Sequence, residues 1–107
     1  MIQELEKEFN GIGEVKGYTF QIIAEEKGIG YIYMVTNEVT THYEVFRHKE
    51  TPVLIDFEKR IYSETDTKVT YPKSNSFGVW AWTYSNHEQA QVMLNFIINN
   101  HIQKELK

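Results

Sequence analysis

Apolar residues recur along this chain with two different periods, and the change from one to the other outlines the fold. In residues 18–24, Tyr18, Phe20, Ile22 and Ala24 alternate with Thr19, Gln21 and Ile23. Tyr31, Tyr33 and Val35 then oppose Ile32 and Met34, and Tyr43, Val45 and Arg47 oppose His42, Glu44, Phe46 and His48. A period of two belongs to strands. The links, EKGIG and the turn at 37–38, are short, so three strands in an antiparallel meander are expected.

From residue 85 the period becomes 3.6. Ala90, Met93, Leu94, Ile97, Ile98 and His101 fall on one side of a helix, with Val92 and Phe96 nearly opposite. A helix lying on a sheet needs one apolar stripe, so the second, smaller stripe asks for another partner. Ser85 and Glu88 have the spacing of a capping box. Asn95, Asn99 and Asn100 are poor helix formers, which places the helix end near residues 100–103. At the other end of the chain, Ile2, Leu5 and Phe9 have helical spacing among glutamates. A short amphipathic helix is expected there, ended by Gly11 and Gly13.

Two segments remain. Residues 50–66 alternate weakly through Val53, Ile55 and Phe57 and carry a charge of −3. With Pro52 barred from a central strand, they read as an acidic, protruding extension of the sheet or a hairpin. Residues 68–72 read as a short strand paired with 77–84. In 77–84, Phe77, Val79, Ala81 and Thr83 share one face and Gly78, Trp80, Trp82 and Tyr84 the other. The expected fold is therefore α+β, one domain over residues 1–107. It has a single antiparallel sheet of about five strands, a short N-terminal helix and a long C-terminal helix on one face. A curled barrel around the final helix is the alternative.

Composition adds limits. Aromatics make up 14% of the 107 residues and suit a sheet-rich protein. The chain has no cysteine, so thiolate metal sites and thiol nucleophiles are out of reach. No apolar run is long enough to span a bilayer and residues 1–10 do not resemble a signal peptide, so a cytoplasmic protein without membrane contact is expected. The net charge of −4 argues against a protein devoted to duplex DNA.

Candidate chemistry is sparse. His42 and His48 would lie roughly 20 Å apart along one strand, too far for one metal ion, and His87 and His101 are nearly four helical turns apart. Glu25 with Glu26, and Asp56 with Glu58, read as solvated charge. A general acid–base pair needs a cleft that splits their pKa values. Neither GIGEVKG nor KGIGYIY matches a phosphate loop. No cofactor, metal or catalytic residue is therefore expected. The feature with functional shape is the aromatic hairpin: Trp80, Trp82 and Tyr84 on one face would present roughly 500 Å². That face is core, or covered by residues 50–66 or a second subunit, or open to a ligand; Val79 and Ala81 offer a helix the flatter side.

The segments YEVFRHK at 43–49 and VTYPKSNSFGVWAWTY at 69–84 resemble short proteins encoded by phages and mobile elements of gut bacteria. That group has no assigned activity. The resemblance spans about half the chain, leaves out the N-terminal strands, and implies that residues 50–66 are an insertion.

The functional expectation is a non-enzymatic interaction domain that holds a protein partner or a copy of itself through a sheet face or edge. Val92 and Phe96 are the candidate homodimer contacts. The alternative is an accessory protein for single-stranded nucleic acid. Residues 67–85 carry +2 and no acid. Lys68, Lys73 and Arg47 would follow a backbone while Tyr71, Trp80 and Trp82 stack on bases. A small enzyme with a hidden cleft is the third class.

Overall fold

A computed structural model describes residues 2–105. The chain is α+β. Strands β1 (Ile2–Gln3), β2 (Glu8–Asn10), β3 (Thr19–Glu26), β4 (Gly30–Thr36), β5 (Thr41–Arg47), β6 (Glu50–Asp56), β7 (Ile61–Val69) and β8 (Ala81–Tyr84) precede one helix, α1 (His87–Glu105). They form two sheets, a five-stranded one in the order β2-β3-β4-β5-β8 and a three-stranded one in the order β1-β7-β6.

The meander β3-β4-β5 forms as its alternation predicts. Tyr31 pairs with Phe46, Ile32 with Val45 and Tyr33 with Glu44. The β4–β5 turn is held by Asn37, whose Oδ1 accepts from the backbone N–H of Val39 (2.9 Å) and Thr40 (2.6 Å), the local bond for which asparagine is favoured in turns. One position departs. A bulge lies between Ile22, opposite Tyr33, and Ala24, opposite Ile32. The extra residue moves Ala24 to the other face, where it packs with the helix-side cluster.

Both faces of the five-stranded sheet are covered. On one, α1 lays Ala90, Leu94 and Ile97 over Ile32 and Val45, all five of them buried. Gly30 permits this close approach, since a Cβ there would stand 3.0 Å from Leu94 Cδ1 and 3.1 Å from the Phe46 carbonyl oxygen. On the opposite face an aromatic layer of Phe20, Tyr31, Tyr33 and Phe46 is capped by Leu5, Phe9, Val69 and Tyr71.

Residues 2–9 are strands and extended chain, not a helix. Phe9 pairs with Phe20 across β2 and β3, and their rings stack at 4.7 Å. The Tyr33 hydroxyl donates to the Glu6 carbonyl (2.6 Å), and the Ile22 N–H donates to that of Lys7 (2.8 Å). A helix this short is unstable alone in water, whereas the sheet edge supplies both backbone partners and aromatic burial.

The C-terminal strands also part from expectation. Lys68 and Val69 end β7, where they pair with Thr51 and Glu50 of β6, so residues 50–69 form a hairpin in a separate sheet. Residues 70–77 cross over the aromatic layer with Tyr71 and Pro72 turned inward. The partner of β8 is β5 instead, with Tyr43 opposite Tyr84 and Phe46 opposite Ala81.

The helix begins one residue later than a Ser85 cap would place it. Asn86 Oδ1 accepts from the Gln89 N–H (2.8 Å), and its carbonyl accepts from the Ala90 N–H (3.3 Å). Asn86 is thus the N-cap. Asn86→Ala is expected to destabilise the fold by about 0.5–2 kcal/mol, with Ser85→Ala nearly neutral. Urea midpoints for the two variants check this, and the reverse order would return the cap to Ser85. The helix also runs through Asn99 and Asn100 to Glu105. Ile97 and Ile98 anchor that stretch to the sheet, and such packing outweighs propensity differences of a few tenths of a kcal/mol per residue.

The molecule measures 43 × 42 × 22 Å, with a radius of gyration of 15.0 Å. A compact domain of this length would have about 13 Å. The β6–β7 hairpin, which pairs only with β1 among the other described strands and is largely exposed, forms an arm of the molecule. Among the described residues no helix is long and apolar enough to cross a membrane.

Candidate functional site

The aromatic hairpin does not assemble as one surface. Trp82 and Tyr84 lie half-buried on the α1 side, and Trp80 belongs to the aromatic layer on the other. The helix therefore rests on the tryptophan-bearing face of β8, not the flatter one. The period of two holds only within a strand, and β8 starts at Ala81. Residues 78–80 form a turn with Gly78 at φ 90°, and the Gly78 N–H donates to the Ala81 carbonyl (2.7 Å). That turn places the Trp80 ring edge-on to Phe46, 6.2 Å away.

The basic residues are divided in the same way. The Arg47 guanidinium lies 5.8 Å from the centre of the Trp82 ring, whereas it is Lys49 that lies over Trp80, at 5.1 Å. Tyr71 is a core residue. Its ring meets Phe9, Phe20, Tyr33 and Phe46 at centroid distances of 4.8–5.5 Å. Its hydroxyl donates to Glu44 Oε1 (2.6 Å). Burial, then the Glu44 charge, push that hydroxyl's pKa well above the ordinary tyrosine range. Lys68 and Lys73 are exposed, but they line a groove shared with Glu4 and Glu6. A strand of nucleic acid would find neither stacking rings on one face nor an acid-free path.

One polar cluster escaped the sequence reading. His48 Nε2 lies 2.7 Å from Glu50 Oε2, and His48 Nδ1 lies 2.7 Å from the Tyr31 hydroxyl. Thr67 Oγ1 donates to Glu50 Oε1 (2.8 Å). A carboxylate only accepts, so Nε2 carries the proton that faces Glu50. The bonds from His48 and Thr67 hold the Glu50 carboxyl below its ordinary pKa. A carboxylate–imidazole–hydroxyl chain invites comparison with a catalytic triad, but its geometry works the other way. Tyr31 is buried and its pKa is pushed up to about 12 by burial first and Glu4, Glu25 and Glu50 after it, whereas a nucleophile needs a lowered pKa or an accessible position. The chain of bonds instead ties β4, through residues 48–50, to the base of the arm. Its sequence signal was the i, i+2 pair His48 and Glu50; the Tyr31 partner, 17 residues away, had none. Among the described residues no three His, Asp or Glu side chains gather as metal ligands.

The outer side of α1 remains. Val92 is 68% exposed and Phe96 55%. Together with Tyr84, Glu88, Gln89 and Met93 they line a mainly apolar groove of about 530 Å³ beside the β8 edge. Tyr84 reaches it because β8 is the edge strand; Val92 and Phe96 do so because they stand opposite the buried stripe. The edge itself is partly closed, since the Ala81 carbonyl is already bonded to Gly78. Of the residues singled out by sequence, Tyr84, Val92 and Phe96 are brought together. Tyr71, Lys68 and Lys73 line a separate groove with Glu4 and Glu6, and Arg47 stands over Trp82, so the basic and aromatic residues do not form one surface with Trp80. No protein-family model, no curated protein and no solved structure matches this chain.

Proposed function

We propose that this chain is a non-enzymatic interaction domain that pairs with a second copy of itself, using the outer stripe of α1 rather than a sheet edge. The observation that carries this reading is surplus surface. The chain exposes 7811 Å², about 1,600 Å² more than the roughly 6,200 Å² of a compact monomer of its mass. Much of the exposed apolar surface lies on the α1 stripe and the arm. Interfaces burying more than about 1,000 Å² on each partner belong to obligate homodimers, and twofold symmetry is the commonest closure.

Sedimentation equilibrium of the unmodified chain at micromolar concentration is expected to give twice the 12.7 kDa protomer mass. Val92→Glu with Phe96→Glu should weaken association by roughly a hundredfold or more, since central apolar contacts contribute about 2 kcal/mol or more each. Both side chains are exposed in the protomer, so circular dichroism should be unchanged. A monomer mass for the unmodified chain at these concentrations would overturn the reading.

A further inference from the structure

The arm carries the argument further. Beyond its base, where Ile2 and Gln3 of β1 pair with Thr67 and Lys68, the β6–β7 hairpin is a ribbon of two strands. Such ribbons are marginally stable in water unless something packs against them. This one exposes Phe57 at 80% and Ile55 at 67%, with Ile61 and Tyr62 about half-exposed. Those side chains sit at or beside the turn of the arm.

The same chain holds an unfilled apolar groove at Tyr84, Val92, Met93 and Phe96. The groove runs along α1 from Tyr84, opposite Tyr43, toward Phe96, whose neighbour Ile97 packs at Gly30, and it lies on the α1 side of the sheet. The arm's base is held on the sheet face away from α1, where Val69 joins the aromatic layer. Two apolar surfaces carried on opposite faces of one chain's sheet can meet between two chains.

We infer that the arm of each copy seats Phe57 in the groove of the other, in a reciprocal exchange about the twofold axis. This rests on the self-association proposed above and names its contacts. Residue 57 touches 96 of the second copy while 96 is touched by 57, the relation that a twofold interface requires. The surplus of about 1,600 Å² per chain exceeds the roughly 800 Å² per partner of a standard interface, so the exposed surface is large enough for groove and arm to be covered.

The absence of cysteine allows a direct test. Chains bearing Phe57→Cys are mixed with chains bearing Phe96→Cys, allowed to exchange, and oxidised mildly. A disulfide between position 57 of one copy and position 96 of the other is the expected product, in larger yield than from either chain alone. As a second measurement, Phe57→Asp should raise the dimer dissociation constant at least tenfold with circular dichroism unchanged. If Phe96→Cys cross-links only to itself and Phe57→Asp dimerises normally, arm exchange fails while self-association through α1 stands. If the unmodified chain is a monomer, both fail together.

Discussion

Phe46→Ala is expected to destabilise the protein by about 3–5 kcal/mol, the range for removing a buried aromatic ring. Phe46 has no exposed surface. Its ring lies within 6.2 Å of those of Tyr31, Tyr33, Tyr71 and Trp80, so it joins β4, the crossover and the turn before β8. The cavity cannot close easily, because Tyr33 and Tyr71 are each pinned by a hydroxyl bond of 2.6 Å, to the Glu6 carbonyl and to Glu44. Domains of this size are stable by about 5–15 kcal/mol, so the variant stands near its unfolding threshold. A Tm lower by about 15 °C or more is anticipated. A loss below about 1 kcal/mol by urea denaturation would show that the aromatic layer closes over the gap.

The second large effect is alkaline unfolding. Burial raises the Tyr31 hydroxyl from its ordinary 10.0 to about 12, and burial first, with nearby Glu25 or Glu44 next, also raises Tyr33 and Tyr71. A raised folded-state pKa means that the fold favours the neutral phenol. That contribution is complete below pH 10.0 and declines as the pH rises through about 12, because the unfolded chain releases these protons more readily. Stability should therefore fall steeply above pH 10. Part of the tyrosinate absorbance of the seven tyrosines should appear only as secondary structure is lost. Full tyrosinate absorbance with native circular dichroism would refute the burial of these hydroxyls.

The candidate site was legible in part. Val92 and Phe96 stood out because they interrupt the polar side of an otherwise one-striped helix, and among the described residues they remain more than half exposed. Tyr84 was assigned to the right face of its strand but for the wrong company. Trp80 left that face through the Gly78 turn, and the dihedral choice at one glycine leaves no trace in an alternation pattern. The arm was legible as an acidic hairpin. Its place in a separate sheet with β1 was not, because that depends on a pairing with residues far along the chain.

The sequence by itself determined β3, β4 and β5, their turns, and the buried stripe of Ala90, Leu94 and Ile97. In each, five or more residues repeat one period, and burial of one face rewards that period wherever the partner comes from. Tertiary structure decided the rest. Ile2, Leu5 and Phe9 suit a helix by spacing, but Phe20 and Tyr33 supply the ring contact and hydrogen bond that hold them extended. Ala24 changed faces at a bulge, β8 paired with β5 instead of β7, and the cap moved from Ser85 to Asn86. Each of these alternatives differs by only about 1 kcal/mol in local preference. Contacts with residues far along the chain are larger than that, and they choose.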